Sequence, residues 1–317
     1  MHDLPNRLYK VDSIVQLEQV AINDHGISAY ELMQRAGAAV FSVIKQNFSH
    51  YEKILILCGA GNNAGDGYVV AKLAKQAGYT VQIVSLVNPD KLKGAAQLAY
   101  QDCAAVVEMN AVKKNTLCVI DDAELIVDAL LGTGLTRDVS AEWSKWIETV
   151  NQSSTPVIAI DIPSGLMADT GFIAGVAIQA DVTVCFIGLK QGMFTGQGKD
   201  VCGYIVFDDL SLPDEVYLAV KNDALLINKI DYSLLPKRKP SSHKGCFGHV
   251  LIVGGIEGMP GAVILAARAA LRTGAGLVSI ITATKNIEVI SSAVPEAMIR
   301  GCGIASIETL FRETFVS

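Results

Sequence analysis

Cys58-Gly-Ala-Gly-Asn-Asn-Ala-Gly-Asp-Gly67 is the stretch on which the fold reading turns. Before it, Lys53-Ile-Leu-Ile-Leu57 has the length and apolarity of a strand, and residues 66–77 read as a helix closed by Gly78. A strand, a glycine-rich turn and a helix N-terminus together make an anion site. The first N–H groups of a helix lack intrahelical partners, and the helix dipole favours negative charge there. Glycines at 59, 61, 65 and 67 are expected to allow positive φ and a close approach of phosphate to the backbone.

The stretch departs from the usual dinucleotide fingerprint, because Gly61 and Gly65 are separated by three residues, two of them asparagines. The second strand, over 80–86, ends in Val87-Asn88 with no carboxylate for a ribose hydroxyl. A plain dehydrogenase is therefore disfavoured. No Lys-Ser/Thr pair follows the glycines, which excludes a Walker A loop. Asn62, Asn63 and Asp66 stand where a phosphate, a ribose or a metal ion would sit, or else cap the helix.

The 317 residues suggest two domains. Half are hydrophobic and 18% charged, the balance of a globular chain. A formal charge of −6 lacks the basic footprint of sequence-independent nucleic-acid binding. The seven cysteines are dispersed with no C-x-x-C pair, which suggests reduced thiols in a cytosol. No signal peptide is read at the N-terminus, and no apolar run is long enough to span a bilayer. The chain is expected to be cytoplasmic, with no nucleic-acid or membrane partner.

Helices are expected over 12–23 and after the N-cap Ser28, then near 66–77, 91–105 and 140–151. Strands are expected at 53–57, 80–86, 125–130, 156–160, 182–186 and 204–207. Continuously apolar strands such as Val157-Ile-Ala-Ile160 imply burial on both faces, hence a mostly parallel sheet between helical layers. Ligands then bind beyond the carboxyl ends of the strands.

Three features meet that rule. Val127-Asp-Ala-Leu-Leu-Gly-Thr-Gly134 places Asp128 within an apolar run, where it needs a partner or a cation. Its loop continues to Arg137 and Asp138. Asp161-Ile-Pro-Ser-Gly165 follows a strand, so Asp161 is either placed for chemistry or simply forms the turn. Lys190 follows the strand at 182–186, as a proton donor, a phosphate contact or a solvated lysine.

In this order and spacing, Gly-x-Gly-Asn-Asn-x-Gly-Asp-Gly, Val-Asp-Ala-Leu-Leu-Gly-Thr-Gly and Asp-Ile-Pro-Ser-Gly resemble the NAD(P)H-hydrate epimerase family over roughly residues 5–220. Ala64 stands where that family usually has glycine. The resemblance implies a Rossmann-like three-layer α/β/α sandwich. It implies substrate contacts from Asn62, Asn63, Ala64, Gly65 and Asp66, from Gly132, Thr133, Gly134, Leu135, Thr136, Arg137 and Asp138, and from Asp161. It also implies a potassium ion on Asn63, Asp128 and Ser164, and a homo-oligomer. The substrates would be NADHX and NADPHX, hydrated at C6 of the nicotinamide ring. Asp161 is then the first choice as general acid/base and Lys190 the second.

The strand–helix rhythm is lost over 208–242, and Leu235-Pro-Lys-Arg-Lys-Pro240 reads as a basic linker. The expected organisation is an epimerase domain over 1–222, a linker over 223–242 and a second α/β domain over 243–317. The last resembles the opening of an ADP/ATP-dependent NAD(P)H-hydrate dehydratase domain, a ribokinase-like fold joined to the epimerase in bifunctional repair enzymes. No Gly-Asp pair occurs in 243–317, so this part is expected to be incomplete and inactive. ADP or ATP with magnesium would serve only a complete dehydratase domain. The same missing motif counts against a small-molecule kinase. A non-catalytic nucleotide-binding or interaction module remains the alternative to an enzyme.

Overall fold

A computed structural model describes residues 4–107, 117–227 and 237–302. Expectations for residues 1–3, for 228–236 of the linker and for 303–317 lie outside the described residues. The chain divides into two compact units, Met1–Ile230 and Asp231–Ser317.

The first unit begins with β1 (Arg7–Tyr9), α1 (Val11–Asn23), α2 (Ala29–Asn47), β2 (Lys53–Cys58) and α3 (Asn62–Gln76). It continues through β3 (Thr80–Ser85), α4 (Gly94–Ala104), β4 (Leu125–Ala129), α5 (Ala141–Gln152), β5 (Val157–Ile160) and β6 (Val182–Phe186). It ends with β7 (Leu189–Lys190), α6 (Gly198–Val201), β8 (Tyr204–Asp208), α7 (Asp214–Ala219) and β9 (Ala224–Leu225). Six of these strands form one parallel sheet in the order β3-β2-β4-β5-β6-β8.

Alternation along the strands divides the core in two. Ile54, Ile56 and Cys58 of β2 join Leu125 and Val127 of β4 against α1 to α4 and α7. Leu55, Leu57 and Ile126 face the other way, onto Trp146, Ile147 and Val150 of α5. Each such buried aliphatic side chain contributes roughly 1.5–3 kcal/mol. Helices on both faces of a parallel sheet make the expected three-layer α/β/α sandwich. From β2 the chain passes first to β3 on one side and then to β4 on the other, so the strand order reverses between β2 and β4. A crevice opens at such a switch point, outside the carboxyl ends.

Several boundaries moved. The helix expected from 66 begins at Asn62, capped by the backbone of Gly61 with no side-chain cap. The capping role considered for the asparagines and Asp66 is therefore not used. None of Gly59, Gly61, Gly65 and Gly67 adopts positive φ, and Gly61 sits at −116°. These glycines serve close packing instead. A Cβ on Gly65 would meet Met33 Sδ at 2.5 Å, and one on Gly67 would meet the Ala129 Cβ at 2.6 Å. The helix expected from 91 starts at Gly94 after a 3-10 turn at Pro89–Lys91.

A second sheet was missed altogether. It has the order β7-β1-β9, with β7 parallel and β9 antiparallel to β1. Ala224 and Leu225 thus belong to the first unit, inside the span expected to be linker. Residues 214–219, expected to lack regular structure, form α7.

The second unit has β10 (His249–Val253), α8 (Gly261–Thr273), β11 (Leu277–Thr282), α9 (Ile287–Ala293) and β12 (Met298–Gly301). Its three strands are parallel in the order β10-β11-β12. α8 ends at Gly274 in the left-handed conformation, φ 110°. The buried Asn286 pins the glycine loop before α8. Its Nδ2 donates to the Gly255 and Ile256 carbonyls at 2.9 and 2.8 Å, and its Oδ1 accepts from Gly258 N–H at 3.1 Å.

Gly59 tests the packing role of the glycines. A Cβ there would lie 1.8 Å from the Leu130 carbonyl oxygen, whereas one on the exposed Gly134 would meet nothing within 4 Å. Gly59→Ala is expected to lower the unfolding free energy in urea by about 1–3 kcal/mol. Gly134→Ala should change it by no more than about 0.5 kcal/mol.

Candidate active site

A cleft of about 770 Å³ opens at the carboxyl ends of β2, β4, β5 and β6, within the size range of small-ligand sites. The loops after these strands supply one side: Ala60 to Asn63, Leu130 to Arg137, Asp161, and Phe186 to Ile187 with Lys190. α1 and α2 supply the other, through Val11, Ile14, Val15, Glu18 and Ile22 and through Leu32, Met33 and Ala36.

Asp161 and Lys190 form an ion pair on the strand side of this cleft. Lys190 is 1% exposed and gives its ammonium protons to three acceptors. These are Asp161 Oδ1, the Phe186 carbonyl at 3.0 Å and Cys185 Sγ at 3.5 Å. Burial works to lower the Lys190 pKa, but the negative charge of Asp161, then Cys185, and the hydrogen bonds outweigh it, holding the ammonium above its usual range. Lys190 is therefore a cation at neutral pH. Asp161 is 18% exposed, so its carboxylate reaches the cleft.

The backbone bends to make this pair. Asp161 and Ile187 both have φ of 64°, in the left-handed region that β-branched residues in particular avoid. Each is the middle residue of a three-residue turn, with Ile162 N–H donating to Ile160 O at 2.7 Å and Gly188 N–H to Phe186 O at 2.6 Å. The two turns end adjacent strands, and Asp161 N–H still donates to Val184 O at 2.8 Å. Strain of this kind persists where the surroundings over-determine it, and it concentrates at functional sites.

A second polar group lies at the end of β4. Asp128 is buried, and burial pushes its carboxyl up to about 6 despite hydrogen bonds from Ser164 and Leu130. Ser164 donates from Oγ to Asp128 Oδ1 at 2.6 Å and from N–H to Oδ2 at 2.8 Å. Ser164 Oγ in turn accepts Leu131 N–H at 2.8 Å, and Asn63 Nδ2 donates to the Leu131 carbonyl at 3.0 Å. Asn63 Oδ1 is buried with no hydrogen-bond partner. These oxygens form a hard donor set suited to a monovalent or other oxygen-seeking cation.

The sequence-expected residues do not all face the cleft. Asn62, Asn63, Asp66, Gly132, Thr133, Gly134, Leu135, Thr136, Arg137, Asp161 and Lys190 line it. Ala64 and Gly65 are buried on the inner side of α3, with N–H groups bonded back to Gly61 O, and neither lines the cleft. Asp138 is exposed beyond its edge. Asp128 and Ser164 sit beneath it.

Asp66 is part-buried, and burial, then the charges of Asp161 and Glu18, raise its pKa well above the usual carboxylate range. Lys93, Gly94 and Ala95 line the cleft unforeseen, because the helix was expected to begin before them. Glu18 was also missed. Its signal was a single charge on an otherwise apolar face of α1, at 11, 14, 15, 18 and 22.

A protein family described as YjeF-related protein N-terminus matches residues 29–192, just over half of the chain and the span that holds the whole strand-end side of the cleft. The chain belongs to that family. A second family, described as NAD(P)H-hydrate dehydratase, matches residues 250–311.

The chain is 40% identical over 92% of its length to the bifunctional NAD(P)H-hydrate repair enzyme Nnr of Coxiella burnetii, covering 59% of that protein. It is 40% identical over 93% of its length to Nnr of Escherichia coli, covering 57%, and 41% identical over 93% to Nnr of Vibrio cholerae, covering 60%. The chain thus spans about three fifths of these curated relatives. The crystal structure of the yeast protein ynu0 shares the fold, with a TM-score of 0.53 at 18% identity over 63% of this chain and 87% of that one.

The ion pair has a measurable structural weight. Lys190→Met is expected to lower the unfolding free energy by about 3 kcal/mol, the lower end for breaking a buried pair because Asp161 is partly exposed. In urea unfolding, adding Asp161→Asn to Lys190→Met should cost less than the sum of the two single losses.

Proposed function

We propose that the cleft interconverts the R and S epimers of NADHX and NADPHX. The observation that carries this reading is the Asp161–Lys190 pair, with its carboxylate directed into a cleft that polar loops surround on the strand side. The names of the related proteins supply the substrate class, hydrated NAD(P)H. In such a substrate the ring nitrogen lies next to the hydroxyl-bearing C6. Protonation of the hydroxyl lets the nitrogen lone pair expel it as water and leaves a planar iminium. Water added to the other face gives the other epimer. Proton transfer at that oxygen is the work of Asp161, held in place by its ion pair with Lys190.

The loops would hold the dinucleotide. Gly61 and Asn62 at the start of α3 offer backbone N–H groups to phosphate, and the exposed Lys93 and Arg137 lie at the cleft with positive charge. Asn63, Asp128 and Ser164 would hold a potassium ion, a reading supported by the unpartnered Asn63 Oδ1. When bound, the ion supplies positive charge beside Asp128 and fixes the loop that begins at Leu131. For residues 243–302 we propose no dehydratase turnover by this chain alone, and so no use of ADP, ATP or magnesium.

The first test follows NADH absorbance with R-NADHX, potassium, ADP and an added S-specific dehydratase. Wild-type protein should exceed the spontaneous epimerisation rate, and Asp161→Asn should reduce the acceleration roughly 100- to 10,000-fold with an unchanged circular dichroism spectrum. No acceleration by folded wild-type protein would leave a nucleotide-binding module instead. NADH formed from S-NADHX without the added dehydratase would overturn the reading of the second unit.

The cation is tested without activity. Replacing tetramethylammonium by potassium at about 100 times its dissociation constant should stabilise the protein by about 2.7 kcal/mol in thermal unfolding. Asn63→Ala should remove most of that gain.

A further inference from the structure

We infer that Glu18, on the α1 side of the cleft, is the second proton-transfer group of the epimerisation, acting on the ring face opposite the one served by Asp161. This rests on the epimerase reading. Inversion at C6 needs water to leave one face and water to enter the other, so a carboxylate confined to one face can serve only half of the exchange. The strand side of the cleft supplies Asp161 and Lys190, bound to each other, and α3 adds Asp66. The α1 side supplies one ionisable group only: Val11, Ile14, Val15 and Ile22 surround Glu18 on the same helical face.

Glu18 is part-buried and makes no hydrogen bond or ion pair among the described residues. Its carboxyl group stands in an apolar stripe with no partner among those residues, open to whatever enters the cleft. It is nonetheless close enough to the strand side for its protonation to depend on Asp161 and Lys190. Burial first, then the charge of Asp161, raise its pKa, and Lys190 lowers it. A carboxyl group prone to hold a proton thus shares one cleft with a carboxyl group paired to a buried ammonium.

The steps balance without any other reagent. For the epimer whose hydroxyl faces Glu18, the Glu18 carboxyl gives its proton to that oxygen and the C6–O bond breaks as the nitrogen lone pair forms the iminium. A water molecule on the Asp161 side bonds to C6 and gives its proton to the Asp161 carboxylate. The other epimer reacts by the reverse sequence. The proton then returns between the two carboxyl groups through solvent in the open cleft. No atom is oxidised or reduced.

The test separates inversion from exchange. R- and S-NADHX are each incubated in ¹⁸O-water with wild-type protein or with Glu18→Gln. Epimerisation and ¹⁸O in the recovered starting epimer are read by chromatography and mass spectrometry. Glu18→Gln should slow epimerisation roughly 100-fold or more in both directions. It should keep near-wild-type ¹⁸O exchange in one epimer, the one whose hydroxyl faces Asp161, and lose it in the other. Equal loss of exchange from both epimers would mean a positioning role, and undiminished epimerisation would mean no role; either overturns the inference. If wild-type protein neither exchanges nor epimerises, the failure belongs to the epimerase reading itself.

Discussion

An ammonium group cannot be taken out of water without partners, and the burial of Lys190 dictates much of the geometry around it. Its three acceptors all come from the ends of β5 and β6. To present them, the chain turns sharply at Asp161 and at Ile187, in a conformation that costs of order 1–3 kcal/mol at each residue. Lys190 itself is held by pairing with Tyr9, so β1 docks against the strand that carries the cation. The small side sheet and the strained turns are thereby two consequences of one buried charge.

The Asp128 network works by the same principle at the neighbouring strand end. A carboxyl group at 0% exposure accepts from Ser164 through both its oxygens, and Ser164 also receives the Leu131 N–H. Asn63 reaches the Leu131 carbonyl from the first turn of α3. The loops after β2, β4 and β5 are in this way tied together below the cleft. They form a polar floor for the residues from Gly132 to Arg137, which carry few apolar anchors of their own. One acceptor, Asn63 Oδ1, is left over in this otherwise satisfied set.

The chemistry of the cleft follows from the asymmetry of its two sides. Polar loops and the ion pair stand on the strand side, and an apolar helical surface with one carboxyl group on the other. The second unit, with its Asn286-pinned glycine loop, has a separate core of Val263, Ala267, Val278, Ile280, Ile290 and Val294.

The sequence by itself determined the parallel α/β layering. Apolar runs such as 53–57 and 157–160 and the helical periodicities between them are local signals, and burial on both faces needs no knowledge of partners. It also placed Asp161, Lys190 and the loops after β2 and β4 at strand ends, since a parallel sheet gathers those ends at one edge. The rest depended on contacts between distant residues. Only packing decided that Gly65 and Gly67 serve helix–sheet contacts, and that Ala64 faces inward. β1, β7 and β9 are too short to carry a pattern, and they exist because residues some 180 to 220 positions apart pair around a buried lysine. Glu18 was one charge on an apolar face of α1 until the fold brought that face into the cleft with Asp161: the sequence names the chemical groups, and tertiary structure decides which of them meet.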